Sequence, residues 1–237
     1  MYENKSENII QLFPLSLYKS KIGLTETERK ILIEEVQNQK LKSKNPSYKI
    51  KTGTWTGDTQ GFEFLYLDKK FEKLFNLISL NIKKYTECLG INNNKIDFYY
   101  QRAWATIAKG NENISPHQHK QSHVSFAYYL KKNTNDGSLN FHNEALHNEI
   151  APGLFYSSSE KSPSKNFFKA NFFNGRIVNI HPKVDEIYIF PSKSIHSTSP
   201  NKTNDERISI SADISIIAKE SENIENLITP IDKWLKF

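Results

Sequence analysis

The feature that most limits the fold is a change of texture at Lys95. Before it, apolar residues recur at helical spacing; after it, the chain breaks into short runs of Tyr, Phe, Ile, Val and Ser divided by Asn, Gly, Pro and Asp, the pattern of strands and turns. Two helices are expected in the first part. One runs from about Thr25 to Gln39, opened by a Thr25/Glu28 capping box, with Ile31, Ile33 and Val36 as its apolar residues. The other is capped by Asp68, shows Phe71, Leu74, Phe75, Ile78 and Ile82 on one face, and ends at Gly90. Strands are expected near 96–108, 121–131, 138–142, 176–181, 185–190 and 206–217, with Asn135-Asp136-Gly137 as the best turn signal. Helices followed by many short strands make an α+β chain whose sheets form a sandwich or jelly roll, with the N-terminal helices packed against one face.

No internal repeat or linker divides the 237 residues, a length that can bury a core without staples, so a single domain is expected over 1–237. Its parts are a mainly helical 1–94, a jelly-roll core at 95–217 and a tail at 218–237. Cys88 is the sole cysteine, which excludes an internal disulfide and any cysteine-built metal cluster; its place on an amphipathic helix suggests a buried, inert thiol. The lysines behind the net charge of +6 are interleaved with Asn, Glu and Asp, without a basic stripe carrying aromatic residues. A nucleic-acid partner is therefore not expected. Residues 1–17 contain no unbroken apolar run, so neither a signal peptide nor a membrane span is expected, and a cytoplasmic location follows.

All seven histidines lie between His117 and His196. His117 and His119 are two apart, so on extended backbone their rings share a side and can chelate one ion. His196 follows the strand-like run Ile189-Phe190-Pro191-Ser192 and is suited to be a distant third ligand. His123 is the next candidate, ahead of His142, His147 and His181. Arg207 opens an alternating strand in which Arg207, Ser209 and Ser211 share one face and Ile208 and Ile210 the other. A guanidinium inside a cavity requires an anion, and its planar fork matches a carboxylate. A surface pairing of Arg207 with Asp205 or Glu206 is the plainer alternative.

With these residues in place, the chain resembles the 2-oxoglutarate and Fe(II)-dependent oxygenase superfamily, in particular a group found in bacteria and their phages. The resemblance rests on Leu12-Phe13-Pro14, Trp104, His117-Gln118-His119 with Ser125, Tyr128, Tyr129 and Leu130, Gly137-Ser138-Leu139-Asn140-Phe141, Phe190-Pro191-Ser192 with His196, and Glu206-Arg207-Ile208-Ser209-Ile210-Ser211. It implies a double-stranded β-helix binding Fe(II) through His117, His119 and His196. It also implies 2-oxoglutarate held by Arg207 with Ser209 as helper, O2 as co-reactant, and Trp104 and Tyr128 lining the cavity. Hydroxylation of an unspecified substrate is the expected reaction. One departure stands out: the superfamily pattern is H-x-D or H-x-E, and here His119 occupies the carboxylate position. Two other readings stay open, a three-histidine enzyme without 2-oxoglutarate (zinc hydrolase or lyase, or thiol dioxygenase) and a binding module that has kept the fold without turnover. The segment from His142 to Asn174, rich in Phe, Ser and Lys, is expected to be a lid or an extra hairpin.

Overall fold

A computed structural model describes residues 14–45, 49–50, 53–155, 173–221 and 225–237, with residues 9, 12, 169 and 171. Phe13 of the Leu-Phe-Pro motif and residues 156–168, 170 and 172, 15 of the 33 residues of the expected lid or hairpin, lie outside this set. The described elements are β1 (Tyr18–Lys21), α1 (Glu26–Lys42), β2 (Trp55–Thr56), α2 (Glu72–Cys88), β3 (Ile96–Ala108), β4 (Val124–Lys131), β5 (Leu139–His142), β6 (Ile177–Ile180), β7 (Glu186–Pro191), β8 (His196–Thr198) and β9 (Arg207–Ala218).

The strands form a six-stranded sheet in the order β1-β7-β4-β9-β3-β2 and a three-stranded sheet in the order β6-β5-β8, with every named pair antiparallel. This is the jelly roll, or double-stranded β-helix. Strand alternation divides the large sheet cleanly. Val124, Phe126, Tyr128 and Leu130 of β4 and Ile208, Ile210, Ala212, Ile214 and Ile216 of β9 enter the main core beside Leu32, Val36, Leu74, Phe75, Ile78 and Ile82 of the helices. The opposite face carries a second, smaller core of Ala127, Tyr129, Leu139, Phe141, Tyr188 and Phe190 between the sheets.

Helix α1 begins with the expected capping box: Thr25 Oγ1 accepts from Glu28 N, and Glu28 accepts from Thr25 N. Its buried stripe is Leu32, Glu35, Val36 and Gln39; of the expected apolar residues Val36 is fully buried and Ile33 packs partly against the core, whereas Ile31 is half exposed. In α2 the expected apolar face is buried, and Asp68 caps the short helical turn that leads into it. Cys88 is exposed, contrary to expectation, because it falls outside the Leu74, Ile78, Ile82, Tyr85 stripe. Among the described residues no helix is long and apolar enough to cross a membrane.

Asn135-Asp136-Gly137 forms a turn with positive φ at Asn135 and Gly137, but it joins β4 of one sheet to β5 of the other and so is not a hairpin. Gly137 is also required for space. A Cβ there would lie 2.4 Å from Ser199 O and 2.5 Å from an Arg207 guanidinium nitrogen, closer than any tolerated contact.

Candidate metal centre

His117 and His196 face each other across the open end between the sheets. Their backbones exchange two hydrogen bonds, His117 N to His196 O at 3.0 Å and His196 N to His117 O at 2.9 Å. His119 N donates to Ser192 O at 3.0 Å, and buried Ser122, Ser125 and Ser192 link their hydroxyls below this junction. The pair separated in sequence is therefore joined to the distal histidine by backbone, before any ion is considered. One ring nitrogen from each of His117, His119 and His196 lies within 4.8 Å of the others.

The second nitrogen of each ring explains the orientation. His117 Nδ1 meets Ser115 O at 2.9 Å, His196 Nδ1 meets Ser194 O at 2.9 Å, and His119 Nδ1 meets Asp213 Oδ1 at 2.8 Å. These oxygens are all acceptors, so each Nδ1 carries a proton, and in a neutral ring Nε2 is then the atom with the lone pair. Burial keeps the His117 ring below its ordinary pKa, and burial together with the nearby His117 ring takes His196 down to about 3. The two rings thus remain neutral, as a metal ligand must be. The ring nitrogens of His117, His119 and His196 are close enough together that they could hold one divalent transition ion.

The remaining histidines are engaged elsewhere. His123 Nδ1 accepts from Ile216 N at 2.9 Å, His142 Nε2 contacts Ser197 Oγ at 2.9 Å, and His147 and His181 are exposed.

A cavity of 560 Å³ opens beside the three rings, lined by Trp104, Thr106, Tyr129, Leu139, Arg207 and Ser209 among others. Tyr128 does not line it. Its side chain is wholly buried on the helix-facing side of β4, where its hydroxyl donates to Asp185 at 3.0 Å; by strand parity the cavity residue is Tyr129. Arg207 is 3% exposed and donates to Asp136 O at 2.6 Å, Ser199 O at 3.3 Å and Thr198 Oγ1 at 2.9 Å. All three acceptors are neutral, and no carboxylate among the described residues pairs with it. The surface pairing considered from sequence does not occur, because Asp205 contacts Lys131 and Glu206 contacts Gln37 and Lys40. Burial lowers the Arg207 pKa, the mark of a cation short of compensation.

Two residues that the sequence reading did not single out complete the surroundings. Asp213 is wholly buried; besides His119 it accepts from Arg102 Nε at 3.0 Å and Nη2 at 2.5 Å. Burial pushes its carboxyl pKa up, but His119 and Arg102 outweigh that effect and hold it below the ordinary value. Arg102 lies directly across from Asp213 in the β3–β9 register and also spans the Trp104 ring at 5.0 Å.

Comparison with known proteins gives a sequence family for part of the chain and a fold for most of it. A sequence model described as "Putative 2OG-Fe(II) oxygenase" matches residues 102–213, a stretch that holds every residue of the site. Among curated proteins none matches significantly in sequence. Solved structures share the fold at low identity. The non-heme alpha ketoglutarate dependent epimerase SnoN from nogalamycin biosynthesis superimposes with a TM-score of 0.54 at 11% identity, over 85% of this chain and 78% of its own. HygX from Streptomyces hygroscopicus, solved with nickel and 2-oxoglutarate, gives 0.51 at 10%, over 85% and 83%. A prolyl hydroxylase from Trichoplax adhaerens, in complex with a hypoxia inducible factor peptide, gives 0.51 at 15%, over 84% and 83%. Residues 102–213 are thus similar in sequence to the 2OG-Fe(II) oxygenase family, and the chain shares its fold with solved 2-oxoglutarate-dependent enzymes.

Proposed function

We propose that this protein is an Fe(II)- and 2-oxoglutarate-dependent oxygenase that hydroxylates a substrate C–H bond. The observation that carries the reading is one cavity with three convergent imidazoles at one point of its wall and a buried guanidinium without a carboxylate partner at another. A dicarboxylic keto acid answers both demands. Its keto-acid end suits the open face of a metal held by His117, His119 and His196, and its distal carboxylate suits the fork of Arg207. Ser209 lies on the same face of β9 as Arg207, two residues along, where its hydroxyl can donate to that carboxylate.

When bound, the metal supplies the redox chemistry by which 2-oxoglutarate and O2 yield succinate, carbon dioxide and one oxygen atom for the substrate. The work of the chain is positional. The backbone bridge between His117 and His196 fixes two ligands, Asp213 orients the third, and Leu139 and Tyr129 give the inner cavity an apolar lining. A zinc hydrolase or a thiol dioxygenase would use the histidines and leave Arg207 buried without purpose. The same residue weighs against a non-catalytic module, since a buried unpaired cation costs stability.

The test is anaerobic loading with Fe(II), addition of 2-oxoglutarate, then admission of oxygen with succinate followed by mass spectrometry. Iron-dependent succinate that is absent in His196→Ala is the expected result. A loaded protein that binds iron without ever consuming 2-oxoglutarate would remove the reading in favour of a three-histidine enzyme of another class.

A further inference from the structure

The three rings are not backed alike. His117 and His196 rest on neutral backbone carbonyls, Ser115 O and Ser194 O, whereas His119 rests on the buried carboxylate of Asp213. We propose that Asp213 is the positioning residue of the metal centre: through the Nδ1 proton of His119 it fixes the ligand tautomer and brings to the site the negative charge that three imidazoles lack. This rests on the three-histidine site proposed above.

The two oxygens of Asp213 have separate partners. Oδ1 takes His119 Nδ1 at 2.8 Å and Ser122 Oγ at 3.3 Å; Oδ2 takes Arg102 Nε at 3.0 Å, Arg102 Nη2 at 2.5 Å and Gln121 Nε2 at 3.3 Å. Arg102 therefore holds the carboxylate plane, with its own position fixed by Trp104 at 5.0 Å and by Asp58 at 3.6 Å. An arginine has only donors. Whatever stands at position 213 must offer Arg102 an acceptor, and only a carboxylate has a second acceptor left for His119.

This gives Asp213→Asn a specific consequence. The amide must present its oxygen to Arg102, which turns its NH2 toward His119 Nδ1. That ring nitrogen must then accept, so the proton moves to Nε2 and occupies the position a metal needs. A carboxylate whose only task was to pair with Arg102 would have no such effect on His119.

The experiment titrates Co(II) into the full chain and follows affinity together with the visible ligand-field spectrum. Unaltered protein should bind one equivalent and His196→Ala should not. Asp213→Asn should lose about ten- to a hundredfold in affinity, and Asp213→Asn combined with Arg102→Gln should recover part of that loss, since the amide is then free to turn its oxygen to His119. A purely structural Asp213 predicts instead that the double variant binds no better than the single one. Independently of any variant, a long-range proton–nitrogen NMR spectrum of the metal-free chain should show His119 protonated at Nδ1. An Nε2–H tautomer there, an unchanged Co(II) affinity in Asp213→Asn, or the absence of rescue overturns the proposal. Co(II) binding that survives in His196→Ala overturns it together with the three-histidine reading, and the two failures are thereby told apart.

Discussion

Replacing Arg207 with alanine separates cosubstrate binding from metal binding. In the free protein two effects oppose each other. The substitution strands Asp136 O and Ser199 O, a cost of about 1–3 kcal/mol for each acceptor left bare, and it removes a buried cation that has no carboxylate partner, which returns several kcal/mol. Folding stability should therefore change little. Binding has no such offset. Breaking one half of a buried charge pair costs about 3–5 kcal/mol, so 2-oxoglutarate affinity should fall by about two to three and a half powers of ten. Calorimetry on Fe(II)-loaded protein without oxygen, alongside an iron titration, reads both quantities. Arg207→Lys should recover a minority of the loss, because an ammonium keeps the charge without the two-pronged fork. Affinity for 2-oxoglutarate that is unchanged in Arg207→Ala, or lost only in step with iron, would refute the assignment.

Other outcomes follow from the same geometry. His117→Ala and His196→Ala should abolish stoichiometric iron binding, whereas His142→Ala and His147→Ala should leave it intact, as equilibrium dialysis will show. Gly137→Ala should weaken 2-oxoglutarate binding without contacting it, since the new Cβ would stand 2.5 Å from the Arg207 guanidinium and push it aside; calorimetry finding no effect would contradict this. The metal-free protein should lose stability on mild acidification. Below about pH 6.5 the unfolded chain protonates position 196, while the fold keeps His196 neutral down to about pH 3. The unfolded state thus holds more protons across that window, and stability falls by up to about 1.4 kcal/mol per pH unit. Urea melts at pH 7.5 and 5.5 should show the loss in the parent and a smaller one in His196→Gln.

The metal centre was readable in the sequence to the extent that it depends on alternation and order. His117 and His119 share a face by parity, and Arg207, Ser209 and Ser211 share a strand face for the same reason. Asp213 is the next residue of that series, two beyond Ser211, and following the alternation one step further would have brought it into the site. Tyr128 shows the opposite error. In a run as apolar as Phe126-Ala127-Tyr128-Tyr129-Leu130 both faces are buried, so composition does not say which tyrosine faces the cavity. In helix α1 Ile31 was expected among the core residues and Leu32 was missed, because Ile31, Leu32 and Ile33 are consecutive and local pattern cannot choose among them. The short strands β1, β2 and β8 carry too few residues to show a period, and it is their partners β7, β3 and β5 that make them strands. The Asp136-Gly137 turn was located correctly, but whether a turn closes a hairpin or crosses between sheets depends on pairing partners far along the chain.

The central claim is most directly tested by an anaerobic crystal structure of the protein with Fe(II) and 2-oxoglutarate. One metal ion is expected on the Nε2 atoms of His117, His119 and His196, with the keto-acid end of the ligand on that ion and its distal carboxylate on Arg207. A metal bound without His119, or a 2-oxoglutarate whose distal carboxylate lies away from Arg207, would contradict it.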